Sequence, residues 1–188
     1  MIIFKNVTKS FDGKKVLENF SATLPEQGIV LITGPSGSGK TTLSRLILGL
    51  SQPDSGEVIL KADKISVVFQ EDRLVPSLSA LENVALVSNT ASAAKRLQSL
   101  SLGDSLTLLP AQLSGGMKRR VAVARALEFG GEVLLLDEAF SGLEDALAKE
   151  ILDKICDEYK DRLIVAITHR PELFADLSYI EIKLGGNI

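Results

Sequence analysis

Short, uninterrupted apolar runs alternate along the chain with stretches in which apolar residues recur every three or four positions. Gly28–Thr33 and Val133–Leu136 are too short for helices and lack the polar alternation of a half-exposed strand, which is the pattern of strands covered on both faces. Ile2–Val7, Val16–Leu24, Glu57–Leu60, Lys64–Phe69, Leu163–Thr168 and Tyr179–Leu184 predict further strands. Asp12-Gly13 marks a turn between the first two, and Pro53-Asp54-Ser55-Gly56 marks another. Leu43, Leu46, Ile47 and Leu50 share a face of a helix predicted over Lys40–Leu50, and Leu147, Ile151, Ile155 and Tyr159 mark a longer one. A short helix is predicted over Pro171–Leu177. From Glu71 to about Phe129 alanine, leucine and serine dominate at helical spacing, and Gly130-Gly131 closes that stretch. This order predicts a largely parallel sheet flanked by helices on both faces. Residues 1–70 and 130–188 would form the α/β core, with a helical lobe inserted over 71–129. Ligands on such sheets bind beyond the C-terminal ends of the strands.

Composition narrows the class. A chain of 188 residues, 45% hydrophobic and 24% charged, is the size and balance of one globular domain. The net charge of −3 disfavours bulk electrostatic binding of nucleic acid. A single cysteine, Cys156, excludes an intramolecular disulfide framework and a cysteine-rich zinc site, and reads as a small apolar packing residue. The opening Met1-Ile2-Ile3-Phe4-Lys5-Asn6 has no basic segment followed by a long apolar one, so no secretory signal is expected. No apolar run approaches the ~20 residues that span a bilayer. A soluble, cytoplasmic chain is expected, with any membrane role supplied by a partner.

The residues that carry chemistry directly follow predicted strands. Gly34-Pro35-Ser36-Gly37-Ser38-Gly39-Lys40-Thr41 fits G-x-x-x-x-G-K-[ST], the phosphate-binding P-loop. Its glycines let backbone N–H groups approach phosphate oxygens, and the helix that begins at Lys40 points its positive end at the anion. Lys40 would reach the terminal phosphates, and the Thr41 hydroxyl is a hard oxygen suited to Mg²⁺. Thr42 continues the same turn. Asp137, at the end of Val133–Leu136, is a second candidate for holding Mg²⁺, and Glu138 is placed to act as general base on an attacking water. Leu113-Ser114-Gly115-Gly116-Met117-Lys118-Arg119-Arg120 opens a helix whose apolar positions Val121, Ala124, Ala126 and Leu127 face inward only in part. Serine and two glycines at a helix start make a second anion site. Three basic residues in that first turn oppose the helix dipole, which suggests a negative partner.

These motifs, in this order, resemble the ATP-binding subunit of ABC transporters over nearly the whole chain. The P-loop is Gly34–Thr41, and Leu113-Ser114-Gly115-Gly116-Met117 is similar to that family's Leu-Ser-Gly-Gly-Gln signature. Gln70 follows the strand Ser66–Phe69 like its Q-loop glutamine, and His169 follows Leu163–Thr168 like its switch histidine. Phe11 lies where the family stacks an aromatic ring on adenine. The resemblance implies a P-loop NTPase core with an N-terminal antiparallel β subdomain and an inserted α-helical lobe. It implies ATP and Mg²⁺ as ligands, Glu138 as the base, and His169 as the residue that holds the γ-phosphate and water. Gln70 would join the metal site and link the nucleotide to a transport partner. It also implies a head-to-tail dimer with a second ATP-binding subunit, in which Ser114, Gly115 and Gly116 face the partner's P-loop. The further partners implied are a transmembrane permease subunit, docking near residues 70–84, and a solute-binding protein if the system imports. The helical lobe should then expose an apolar patch.

Several positions depart from the family's pattern. Met117 replaces the signature glutamine, Ala139 stands where proline is common, and Ser141-Gly142-Leu143-Glu144, followed by Asp145, replaces Ser-Ala-Leu-Asp. Gly56–Phe69 is short, and the chain ends soon after Gly185-Gly186, where some importers carry a regulatory extension. The segment Phe69–Pro76 with Leu81–Val84 is similar to ATPases of nitrate-, sulfonate- and taurine-type importers. Two other functions are weighed beside transport. One is a non-transport ABC-type ATPase acting on a soluble complex. The other is a P-loop kinase, which would leave the signature and His169 unexplained.

Overall fold

The computed structural model describes residues 1–185; Gly186, part of the expected chain end, lies outside the described residues. Among the described residues, eight strands and five α-helices run in the order β1 (Ile2–Phe11), β2 (Lys14–Leu24), β3 (Gly28–Thr33), α1 (Lys40–Ile47), β4 (Ser55–Leu60), β5 (Ile65–Val68), α2 (Ala80–Ala85), α3 (Thr90–Ser99), α4 (Gly115–Phe129), β6 (Val133–Asp137), α5 (Asp145–Glu158), β7 (Leu163–Ile167) and β8 (Tyr179–Lys183). Two sheets result. One is antiparallel, in the order β2-β1-β4, and the other is parallel, in the order β5-β6-β7-β3-β8.

The buried apolar runs explain how the layers stack. Successive strand residues point to opposite faces, and here they divide between two cores. Leu31, Leu134, Leu136, Ile164 and Ala166 pack into a core with α4 and α5, together with Ala80, Val84, Ala93 and Leu97 of the smaller helices. Val30, Ile32, Val133, Leu135, Leu163, Val165 and Ile167 pack on the other side with Leu43, Leu46 and Ile47 of α1 and with Ile2, Phe4 and Val7 of β1. The second face is therefore covered by one helix and the antiparallel sheet, not by helices alone. That sheet needs a cover because only one of its faces is apolar.

Four local expectations are corrected. Helix α1 stops at Ile47, and Leu50, expected on its buried face, is 63% exposed. Gly49 takes φ 66°, and the N–H groups of Gly49 and Leu50 bond the Leu46 and Arg45 carbonyls, a Schellman ending that outweighs the helical spacing. The expected Pro171–Leu177 helix is a single 3₁₀ turn over Pro171–Phe174. The face of α4 predicted to be half inward is fully buried at Val121, Ala124, Ala126 and Leu127, because β5, α2 and α3 surround that helix. Two of the three basic residues in its first turn are already partnered within the chain. Arg120 donates to the Leu100 and Ser101 carbonyls, and Arg119 to a loop described below.

The lobe is tied to the core by charge as well as packing. Arg96 of α3 forms a two-pronged pair with Glu158 of α5, at 2.6 and 2.9 Å, and a third contact to Glu128 of α4 at 3.3 Å.

Candidate nucleotide and catalytic site

The parallel strands end on one side of the sheet, and the loops after β3, β5, β6 and β7 meet there. They enclose an open cavity of about 360 Å³ lined by Val16, Ser36, Gly37, Gly39, Lys40, Thr41, Thr42, Gln70, Asp137, Glu138, Ile167 and His169. Residues drawn from four separate motifs thus face one volume.

The P-loop has the shape its sequence requires. Gly34, Gly37 and Gly39 take φ of 146°, 79° and 98°, values that L side chains rarely adopt. Gly34 has a second constraint, because a Cβ there would lie 2.5 Å from the Leu184 carbonyl oxygen and 2.7 Å from Ser38 Oγ. Gly34, Pro35 and Ser38 form the back of the loop and do not line the cavity. Ser38 Oγ is buried without a hydrogen-bond partner. The Lys40 ammonium is itself buried and donates to the Gly34 and Pro35 carbonyls at 2.7 and 2.9 Å, so the loop's inward cation is held beside the cavity by the loop's own backbone.

Asp137 and Glu138 play different structural parts. Asp137 is 6% exposed, and burial holds its carboxyl above the usual range. The Ser44 hydroxyl and the cations Lys40, Arg45 and Arg73 pull the other way. Glu138 has φ 52°, an unfavourable conformation for a residue with a side chain, and its N–H bonds the Ile167 carbonyl at 2.9 Å. This backbone turn aims the carboxylate at His169. The His169 N–H donates to Glu138 Oε2 at 3.3 Å, and His169 Nε2 lies 3.4 Å from Oε1, near but not aligned as a hydrogen bond. Oε1 is left buried with no hydrogen-bond partner. An unpaired buried carboxylate oxygen is costly, and a water or hydroxyl bound in the cavity would satisfy it.

The structure separates the remaining expected residues from this cavity. Phe11 ends β1 opposite Lys14, is 40% exposed, and lies outside the lining, with the Lys9 ammonium 5.5 Å from its ring centre. Ser114 caps α4, its hydroxyl accepting from the Met117 N–H at 3.2 Å, and neither it nor Gly115 or Gly116 reaches the cavity. Nothing stands within 4 Å of where a Gly115 side chain would be, so this end of α4 is open.

Two arginines give the loops their shape; the sequence offered Arg119 only to a negative partner and gave Arg170 no role. Arg119, buried in α4, donates to the Phe69 carbonyl at 2.6 Å and to the Gln70 carbonyl at 2.5 Å. Its Nε lies 3.2 Å from Asp72 Oδ1 but is not aligned to bond it. Arg170 donates to the Phe140 and Leu143 carbonyls at 2.8 and 3.1 Å. Val16, which packs beside Gly39 and lines the cavity, was also missed, since nothing marks it off from any other strand valine.

The cavity gathers P-loop backbone, two carboxylates and a histidine, and comparison with known proteins gives the family of the chain. A sequence model of the family described as ABC transporter matches residues 17–141. The chain belongs to the ABC transporter family. Among curated ABC relatives, the thiamine import ATP-binding protein of Haemophilus influenzae is 37% identical, over 100% of this chain and 97% of its own length. The aliphatic sulfonates import ATP-binding protein of Rhodococcus jostii is 38% identical over 90% of this chain, which spans only 62% of that relative. A solved dimeric ATP-binding cassette in a post-hydrolysis state, bound to ADP and phosphate, superposes with a TM-score of 0.87 at 29% identity, covering 99% of this chain and 97% of that one. The P-loop NTPase architecture with a parallel sheet, an antiparallel sheet and a helical lobe is that of ABC ATP-binding cassettes.

Proposed function

We propose that this chain binds and hydrolyses ATP and that the hydrolysis energises movement of a solute across a membrane, in the direction of import. The observation that carries the reading is the convergence of the P-loop, Gln70, Asp137, Glu138 and His169 on one cavity. The backbone N–H groups of Ser36–Thr41 cradle the phosphates, and Lys40 exchanges its two carbonyl partners for phosphate oxygens. Glu138, its carboxylate oriented by His169, takes a proton from the attacking water through the oxygen that lacks a partner.

The donor set also fits a divalent cation. Thr41 and Asp137 offer hard oxygens on the same cavity, with Gln70 beside them. No group of three or more His, Cys, Asp or Glu among the described residues forms a closed cage, so phosphate oxygens and water would complete the shell. Mg²⁺ bound there would neutralise phosphate charge.

Ser114, Gly115 and Gly116 stand apart from this cavity at an open helix start, which supports a second copy or a second ATP-binding subunit whose P-loop they would face. No helix among the described residues is long and apolar enough to cross a membrane. A permease subunit would supply that part, docking near residues 70–84, where Val75 is exposed, beside a groove rimmed by the exposed Val87 and Phe129 side chains. The import direction, and with it a solute-binding protein, follows the thiamine and sulfonate relatives.

The test is the Glu138→Gln variant with Mg²⁺ and ATP. Hydrolysis should fall by roughly 10²- to 10⁴-fold while ATP binding persists, and light scattering should show a dimer only with ATP present. Full hydrolysis by Glu138→Gln would remove Glu138 from the role of base.

A further inference from the structure

The two loops that carry Glu138 and His169 are clamped together by a residue that does not line the nucleotide cavity. Arg170 directly follows His169, and its own N–H donates to Thr168 Oγ at 2.9 Å, which fixes where its side chain starts. The guanidinium then reaches across to the loop after β6. It donates to the Phe140 carbonyl at 2.8 Å and the Leu143 carbonyl at 3.1 Å, and pairs with the Asp145 carboxylate at the start of α5. Asp145 and Glu172, its other acidic neighbour, are largely exposed, so these ion pairs are solvent-screened. Both carbonyl bonds come from one guanidinium nitrogen, Nη1, while Nη2 pairs with Asp145, so the rigid planar group fixes the loop and the start of α5 in one geometry that a flexible lysine does not reproduce.

That loop also has something to lose. It starts at Glu138, whose φ of 52° persists only while its surroundings over-determine it. One constraint is the Glu138 N–H on Ile167, and another is the Ser141 N–H on the Glu138 carbonyl at 3.1 Å. The edge-to-face packing of Phe140 on Phe174 holds the same two segments together at 6.3 Å. At its far end the loop touches the signature helix, since a Gly116 side chain would meet Leu143 Cδ2 at 3.3 Å. One side chain thus joins the His169 segment, the loop behind Glu138 and the start of α5, and Leu143 of that loop rests against the start of α4.

We infer that Arg170 is a positioning residue for hydrolysis, holding Glu138 and His169 in register while making no contact with nucleotide. This rests on the ATPase reading above. The test compares the full chain with Arg170→Ala and Arg170→Lys for kcat, KM for ATP and affinity for ADP. Arg170→Ala should lower kcat about tenfold or more with KM and ADP affinity within twofold of the parent, and Arg170→Lys, keeping one carbonyl bond, should recover part of the loss. If the alanine variant does not fold, the lysine variant carries the test, with kcat reduced at unchanged ADP affinity. A kcat within twofold of the parent in both variants overturns the inference. So does a parallel loss of kcat and ADP affinity, which would mark a merely structural role. A parent chain that hydrolyses no ATP would overturn the ATPase reading itself and this inference with it.

Discussion

Replacing Arg119 with methionine would test how the signature helix governs Gln70. The guanidinium is 8% exposed and makes two short bonds to the Phe69 and Gln70 carbonyls. Hydrogen bonds to a charged donor are worth roughly 1.5–3 kcal/mol each. Methionine fills most of the volume but offers no donor, so two loop carbonyls lose their partner. Against this, the variant no longer has to bury a cation whose third nitrogen lacks an aligned acceptor. The net loss should be about 2–4 kcal/mol. For a chain of this size each kcal/mol lowers Tm by roughly 2–4 °C, so a fall of about 4–16 °C is expected by calorimetry. The loop would keep the Arg73 guanidinium stacked 3.8 Å from the Phe69 ring and the Arg125 bond to the Asp72 carbonyl at 3.2 Å, so the fold should survive. Hydrogen exchange should rise in residues 69–72 and stay unchanged in β6 and β7. A Tm within 1 °C of the parent, with unchanged exchange at 69–72, would refute the claim that Arg119 holds this loop.

Two further outcomes follow from single positions. Gly34→Ala places a Cβ 2.5 Å from the Leu184 carbonyl oxygen at a φ of 146°, so calorimetry should show a loss of about 3 kcal/mol or more, and titration should show weakened nucleotide binding; a variant that binds ATP like the parent would contradict the packing of β8 behind the P-loop. Burial pushes the Cys156 thiol up to about 11, so its reaction with a thiol reagent should be slow at pH 8 and quicken roughly tenfold per pH unit toward pH 10; a rate at pH 8 like that of free cysteine would show the thiol to be exposed.

Periodicity and motif spacing went far because both are local. The runs Gly28–Thr33 and Val133–Leu136 were legible as doubly covered strands since no polar residue interrupts them, and the positive-φ glycines of the P-loop sit where its pattern puts them. Leu50 was misread because helical spacing continues through Gly49, while the chain's hydrogen bonding does not. The basic turn Lys118-Arg119-Arg120 was misread for a deeper reason. A sequence shows that these charges oppose a helix dipole, but not that backbone carbonyls some fifty residues earlier wait to receive one of them.

The sequence by itself determined the class of the protein and most of its chemical groups, because phosphate binding and buried strands both impose residue types at fixed local offsets. Only the tertiary structure decided which groups meet. It brought Lys40, Gln70, Asp137, Glu138 and His169 to one cavity and left Ser114–Gly116 and Phe11 outside it. It also placed Arg119 and Arg170 on loop carbonyls that no motif records. The reason is physical: an arginine's partners here are backbone oxygens, which every residue carries, so their identity leaves no mark in the sequence and is set by how the strands and helices pack.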